Sequence, residues 1–313
     1  ILYCVAKKSG CEKMTVLDAT IKGVTAKTAL IVTVYNPDVN ELERNLRSYI
    51  NQVHHVIVCD NSDSAGISLD IQSLLGSFPN AQLLCFNENL GIAEAQNRGI
   101  RLAAAQGATY FIEMDQDSSL PGDYVERIIR SYQYLIEAGH SVGGVGPVAV
   151  SAKDGAYYHG VKEPQGLMKV EKTLSSGFFF SLEAFKAVGD KDSDLFIDYV
   201  DWDWCWRSNV KGLGIFVDTE LAMQHMLGEG HRKILFFSVG MPAPIRHYYQ
   251  YRNGLYMLTR RHVPLRWKFE RAVILILKLP VYMFFSERGE ARRAYIVKAF
   301  RDVMSGKKGR LVD

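Results

Sequence analysis

The segment ATYFIEMDQDS, residues 108–118, decides how this chain is read. Tyr110, Phe111 and Ile112 have the bulk and apolarity of a buried strand. Asp115 and Asp117 follow where such a strand gives way to loop. Two carboxylates one residue apart repel each other unless a cation or water holds them. A divalent metal answers the question well, because Mg²⁺ and Mn²⁺ take oxygen ligands and bridge one or two carboxylates to phosphate oxygens. Asp-x-Asp also arises by chance in solvated surface loops, so its neighbours must decide.

Working outward, TALIVTVYN (28–36) is a β-branched run of strand length. PDVNELERNLRSYINQ follows with apolar residues at 39, 42, 46, 49 and 50, a helical period, and Pro37 suits a first turn. VHHVIVCDNSD and AQLLCFNEN read as two more strands, GIAEAQNRGIRLAAAQG as a helix closed by Gly107, and ATYFIEMDQD as a fourth strand. Strand, helix, strand, strand, helix, strand predicts a Rossmann-like α/β fold, a mostly parallel sheet flanked by helices. Ligands of such sheets bind beyond the carboxyl ends of the strands. Polar residues gather there: Tyr35 and Asn36, Asp60 and Asn61, Asn87 and Asn89, Asp115 and Asp117. Neither G-x-G-x-x-G nor G-x-x-x-x-G-K-[ST] occurs, which argues against a dinucleotide dehydrogenase and a P-loop ATPase.

Further on, DLFIDYVDWDWCWRSNVKG (194–212) sets acids among aromatics. It reads as a helix from about Tyr199 with Gly212 as its stop and Asp198 as the expected cap. Aromatic surroundings desolvate a carboxyl, raise its pKa and make it a better base. Asp201 and Asp203 are rivals for that role. Trp202, Trp204 and Trp206 are unusually dense, and Trp204 suits a core. In MQHMLGEGHRK (223–233), His225 would follow a short strand and complete a metal site, while His231 looks like part of a solvated basic loop.

The chain has 313 residues, 48% of them apolar, enough for a sizeable core. Its five cysteines, at 4, 11, 59, 85 and 205, show no paired spacing. Cys59 and Cys85 lie in apolar runs and read as buried free thiols in a reducing compartment. No apolar stretch reaches the roughly 18–20 residues that span a bilayer, and the first residues do not resemble a signal peptide. From Arg260 onward, 14 Lys/Arg face 5 Asp/Glu, a balance of +9 within a net charge of +3. This tail mixes its charges with AVILILKLPVYMFF, which cannot span a membrane but suits an anionic membrane surface. Its alternative is a helical pair packed on the catalytic domain or on a dimer partner. Basic residues among long aliphatic runs do not suit nucleic acid.

The ordered set VTVYNP, VIVCDNSD, NENLGIAEAQNRGI, EMDQDS, SSGFFFS, FIDYVDWDWCWR, HMLGEG and YYQYRNGLYM resembles the inverting nucleotide-sugar glycosyltransferases of GT-A family 2. NLGIAEAQNRGI and DQDS are most similar to bacterial dTDP-rhamnose-dependent rhamnosyltransferases that build O-antigen and related polysaccharides. The resemblance covers roughly residues 28–260. It implies a GT-A catalytic domain with a nucleotide-binding half, 28–118, and an acceptor-binding half, 119–260. An N-terminal extension (1–27) and a C-terminal amphipathic helical region (261–313) remain outside it.

The resemblance also implies roles. Thr33, Tyr35, Asn36 and Asp60 would hold the nucleotide, and Asn89, Gly91, Asn97 and Gly177 would line the donor pocket. Asp115, Gln116 and Asp117 would flank a Mg²⁺ or Mn²⁺ ion and the diphosphate, with His225 a further metal or diphosphate ligand. Asp201 would be the general base, with Asp203 its rival, and Tyr249 and Arg252 would approach the diphosphate. The acceptor would be a glycan carried on a polyprenyl diphosphate, and the enzyme peripheral on the cytoplasmic face of the cell membrane. Many relatives carry Glu before the catalytic Asp; Val200 stands there in this chain. Two alternatives stay open: a UDP-galactose or UDP-N-acetylglucosamine type of donor, or an inactive membrane-surface glycan-binding module. A sugar nucleotidyltransferase would need a glycine-rich, lysine-bearing N-terminal loop that VTVYNPDVNELERN lacks.

Overall fold

The structure is a computed structural model. It describes residues 20–21, 24–151, 163–225, 231–234, 237–240, 242–284 and 289–312. A short antiparallel pair, β1 (Thr20–Ile21) and β2 (Val24–Thr25), precedes the main sheet. The next elements are β3 (Thr28–Val34), α1 (Val39–Tyr49), β4 (His55–Asp60), α2 (Ala65–Leu75), β5 (Ala81–Cys85), α3 (Ile92–Ala105) and β6 (Tyr110–Asp115). α4 (Tyr124–Glu137), β7 (Val142–Ser151), β8 (Leu167–Val170), β9 (Phe178–Ser181), α5 (Leu182–Val188), α6 (Val200–Val210) and β10 (Gly214–His225) complete the sheet region. The strand pair β11 (His231–Ile234) and β12 (Phe237–Gly240) follows, then α7 (Pro244–Thr259), α8 (Leu265–Phe284) and α9 (Gly289–Met304).

The eight-stranded sheet runs β5-β4-β3-β6-β9-β7-β10-β8. β5, β4, β3 and β6 are mutually parallel, so their carboxyl ends open on one side. β9 runs against both β6 and β7, and β10 is again parallel to β7. All seven residues of β3 are buried, because helices cover both faces; a strand so placed loses polar alternation and reads as a continuous apolar run. Leu30, Val32 and Val34 face Leu42 and Leu46 of α1, while Ala29 and Ile31 face the alanines of α3. A methyl at Gly99 of α3 would meet Cys59 Sγ at 2.5 Å, which explains a helix of small residues lying close against the strands.

Four local readings are corrected. The sequence pattern shows no helix between the second and third strands, yet α2 lies there, because parallel neighbours need a long crossover connection. Asp38, not Pro37, opens α1: its side chain accepts from the Asn40 and Glu41 amides. Cys85 is half-buried rather than buried, and Cys59, Cys85 and Cys205 are free thiols. His231 begins β11 where a loop is expected.

The C-terminal helices pack on the catalytic body through α7. Phe196, Tyr248, Tyr249, Tyr251, Leu275, Tyr282 and Ile296 form one buried cluster there. Among the described residues, no helix is long and apolar enough to cross a membrane.

Candidate active site

The tips of the parallel strands are laced together by side chains. Gln116 accepts from the Tyr35 amide at 2.7 Å through Oε1, and its carbonyl accepts from Asn45 Nδ2 at 2.8 Å, tying the tip of β6 to β3 and α1. The Asn36 amide, at a positive φ of 44°, donates to Ser62 Oγ at 2.9 Å. Asp60 is wholly buried and accepts from the Ser62 amide and from Ser68 Oγ. Asp63 accepts from Tyr35 OH and from the Asn89 amide, both at 3.1 Å. Asn89 Oδ1 in turn accepts from the Gly91 amide at 2.9 Å. Thr33 is buried, and its Oγ1 lacks a hydrogen-bond partner among the described residues. Tyr35, Asp63 and Asn89 thus form a polar rim beyond β3, β4 and β5.

At the tip of β6, Ser176 Oγ donates to Asp115 Oδ2 and receives the Asp115 amide at 3.2 Å. Asp117 is exposed, and its carboxylate carries no hydrogen bond or ion pair among the described residues. No group of three or more His, Cys, Asp and Glu side chains converges among those residues. This donor set fits Mg²⁺ or Mn²⁺, which bind through one or two carboxylates plus substrate phosphates rather than in an all-protein cage. His225 ends β10, paired in register with Ser151; its side chain lies outside the described residues.

Asp201 stands in the first turn of α6, only partly exposed. Burial pushes its carboxyl up to about 7, while Lys191 and a bond from the Trp202 amide pull the other way. The charge of Asp115 raises it further. Beneath them lies a buried ion pair, Lys191 Nζ to Glu113 Oε2 at 2.8 Å. Arg246 pairs with Asp198 at 3.0 Å and also senses Asp115. Asp198 therefore does not cap α6. The N-cap is Tyr199, which has no side-chain cap bond.

Asp203 has a different fate. It is fully buried and bonded to Arg207 at 2.8 Å, Arg260 at 2.6 Å and His262 at 2.7 Å. Burial alone would raise its pKa, but these partners hold it down to about 2. With its oxygens committed to three cationic or donor groups, it is a poor proton acceptor and a strong tie between α6 and the α7–α8 connection. That removes it as a rival base.

The loop before Asp201 is strained. Phe196, Asp198 and Tyr199 all have positive φ, at 64°, 65° and 67°, which costs energy for residues with side chains. α7 restrains it: Asn253 Nδ2 donates to the carbonyls of Leu195 at 2.8 Å and Ile197 at 2.7 Å. Arg252, wholly buried, donates to the carbonyls of Asp194 and Leu195 and stacks on Tyr248 and Tyr249. On the other side the Ile92 amide donates to Phe196 O at 2.8 Å. A Cβ at Gly91, whose φ is +82°, would sit 2.6 Å from that same oxygen, so only glycine allows the approach.

Several residues expected at the donor are thereby placed in supporting roles. Asn97 exchanges both amide bonds with the backbone of Lys191, at 2.9 Å each, and orders the turn that carries that lysine. Gly177, at φ +80°, packs beneath Tyr124 OH and Met223. Tyr249 stacks on Phe196 and accepts from the Leu311 amide. Arg252 holds the loop rather than facing the cleft. Trp204 and Trp206 are core residues, whereas Trp202 is partly exposed beside Asp201. Trp202 carries Lys172 Nζ 4.6 Å above its ring. Ser176, Lys191 and Arg246 escape a reading by sequence, because they lie in segments whose own pattern singles out other residues.

The parallel-strand tips, the Asp-x-Asp that ends β6 and the partly exposed Asp201 of α6 make up the candidate site. The chain belongs to glycosyl transferase family 2, whose model matches residues 29–179, and it is a glycosyltransferase. It is 31% identical over 262 residues to the dTDP-rhamnosyl transferase RfbF of Shigella flexneri, covering 80% of this chain and 85% of that protein. Among solved structures, S. aureus TarS 1–349 in complex with UDP-GlcNAc superposes with a TM-score of 0.57 at 14% identity, covering 89% of this chain and 81% of that one. GalNAc-T7 with UDP, GalNAc and Mn²⁺ gives 0.52 at 13% identity, over 90% of this chain and 58% of that one. At such identities these two likenesses concern the fold alone.

Proposed function

We propose that this enzyme transfers L-rhamnose from dTDP-L-rhamnose, with inversion, to a hydroxyl of a bacterial cell-surface glycan acceptor. One observation carries the mechanism: Asp201 stands partly exposed in the first turn of α6, and burial together with the charge of the strand-tip Asp115 raises its carboxyl to about 7. The sugar is taken from the Shigella flexneri relative. Asp201 accepts the proton of the acceptor hydroxyl as that oxygen attacks the anomeric carbon. The bond from that carbon to the dTDP oxygen breaks on the opposite face, and the leaving diphosphate keeps the electron pair. One base suffices for such a displacement, and a pKa near 7 suits it for proton transfer at neutral pH.

Asp115, Asp117 and His225 would hold Mg²⁺ or Mn²⁺. When bound, the ion neutralises charge on the departing diphosphate. Arg246 adds a fixed cation close to Asp115. Thr33, Tyr35, Asn36 and Asp60 line the nucleotide end, and Trp202 offers the acceptor sugar an aromatic edge beside Asp201. The acceptor is carried on a polyprenyl diphosphate, and the C-terminal helices rest on the cytoplasmic face of the membrane that holds it.

The test is a transfer assay with dTDP-L-rhamnose, UDP-galactose and UDP-N-acetylglucosamine, with and without EDTA. Turnover of dTDP-L-rhamnose alone, abolished by EDTA and restored by Mg²⁺ or Mn²⁺, is expected. Preference for a UDP sugar would overturn the donor assignment, and undiminished turnover in EDTA would overturn the metal.

A further inference from the structure

The last described residues leave α9 and cross back over the molecule to the strand tips. The strap is fastened through the backbone of Lys307, Gly309 and Leu311 and through the side chain of Lys308. Tyr256 OH donates to Lys307 O at 2.7 Å. Lys308 Nζ pairs with Asp194 at 2.8 Å. The Gly309 amide donates to Asp194 O at 2.7 Å, and Arg252 donates to Gly309 O. The Leu311 amide donates to Tyr249 OH at 2.9 Å, and its side chain packs on the aromatic cluster of α7. The carbonyls of the 194–195 turn thus receive both Arg252 and the strap.

Arg310 sits between these anchors and behaves differently. Its guanidinium reaches Asp63 Oδ1 only at 3.6 Å and Asn89 O only at 3.5 Å. Both contacts are longer than full-strength hydrogen bonds of about 2.9 Å. The side chain is half-exposed, and five N–H donors in a fixed fork are more than two long contacts use. A strap pinned on either side, with a loosely held cation between, is a built delivery of charge. It delivers that charge to the rim formed by Tyr35, Asp63 and Asn89 at the nucleotide end of the cleft.

We infer that Arg310 is a donor-binding residue: the strap presents its guanidinium to the phosphates of the nucleoside diphosphate. The inference rests on the nucleotide-sugar reading above. Guanidinium forks match phosphate oxygens in pairs, and such bonds are about twice as strong as neutral ones. An arginine supplied from the chain's far end makes nucleotide binding depend on the strap being docked. Donor binding and the packing of α7 and α9 are thereby linked.

Calorimetric titration of the full chain with dTDP and with thymidine tests this, for the parent, Arg310→Gln, Arg310→Lys and Lys308→Gln. Arg310→Gln should weaken dTDP binding about tenfold or more and leave thymidine binding unchanged. Arg310→Lys should fall between parent and Arg310→Gln. Lys308→Gln, which removes one strap anchor and leaves those at Lys307, Gly309 and Leu311, should lose less dTDP affinity than Arg310→Gln. Equal dTDP affinity in parent and Arg310→Gln overturns the inference while leaving the nucleotide-sugar reading intact. Equal losses in Arg310→Gln and Lys308→Gln also overturn it, since the effect would then be docking of the strap alone. A parent that binds neither dTDP nor UDP overturns the reading on which the inference stands.

Discussion

Asp201 and Asp203 lie two residues apart in one helical turn, yet their surroundings drive them in opposite directions. Asp201 faces aromatic and acidic neighbours and is pushed up to about 7; Asp203 faces two arginines and a histidine and is held down to about 2. Asp201→Asn should therefore reduce kcat by about a thousandfold or more, in the range where an essential base is lost. The parent's kcat should rise with pH through about 7, the base being active only when deprotonated. The folded pKa of Asp201 lies above its unfolded value, so ionisation between about pH 4 and 7 weakens the native state. Melting of Asp201→Asn should accordingly gain on the parent as pH rises through that window. A parent rate that is flat from pH 5.5 to 8 would remove Asp201 from the role. Asp203→Asn should behave otherwise, losing about 1–3 kcal/mol because the partly buried Arg207 and Arg260 lose their shared carboxylate, although Arg260 keeps Asp192. In the parent the stability Asp203 adds is fully present above about pH 4 and fades as pH falls towards 2. Denaturant melts at pH 7 and pH 3 check this, the gap between variant and parent narrowing at the lower pH. The aromatic setting of both acids is visible in FIDYVDWDWCWR. What separates them is not, because Arg260 and His262 arrive from the far end of α7.

At the scale of elements, the strained turn before α6 is the feature that sets the base in place. Three positive-φ residues in four persist because α7 bonds the carbonyls of the adjoining Leu195 and Ile197 and α3 presses Gly91 against Phe196. Asn253→Ala leaves the Ile197 carbonyl without its donor and the Leu195 carbonyl with Arg252 alone, a loss of about 1–3 kcal/mol. A lowered Tm and a fall in kcat with little change in dTDP affinity are expected, since the nucleotide rim is built from other strands. If kcat of the folded variant equals that of the parent, the strap of α7 does not position Asp201. YYQYRNGLYM announces a special segment of α7 by its composition, but its partners are backbone carbonyls, which no residue pattern reveals. The same limit explains Arg252 and Asn97, which look like cleft residues in sequence and serve as loop anchors in the fold. The parallel strands were legible because burial on both faces writes itself as β-branched runs. α2 was not, because AGISLDIQSLL carries a weak stripe and follows a polar turn. Without homologous sequences, only the rule that parallel neighbours need a crossover demands it.

At the scale of the whole molecule, charge and apolar surface are unevenly shared. The basic balance of the last 54 residues, +9, falls on helices that pack inward through α7 but keep an outer face of their own. On α8, Leu265, Phe269, Val273, Ile276 and Leu277 are exposed at three- and four-residue spacing, a single apolar stripe on the side away from buried Trp267 and Leu275. Arg266 lies alongside the stripe and is almost fully exposed. Such a helix suits the interface of an anionic leaflet, where each basic residue near the surface contributes about 1 kcal/mol and the apolar face adds its burial. The same face would also suit a second protein, and salt separates the two. Vesicles rich in phosphatidylglycerol should sediment the parent at low salt and release much of it as salt rises, while neutral vesicles hold it weakly. Leu265→Ser combined with Phe269→Ser and Ile276→Ser should cut vesicle binding at least tenfold, and leave transfer to a short, lipid-free acceptor unchanged because the stripe lies apart from Asp201. A triple variant that sediments like the parent would show that the stripe meets something other than lipid. Should it bind vesicles poorly and also fail with the lipid-free acceptor, α8 would be part of the catalytic body rather than its mooring.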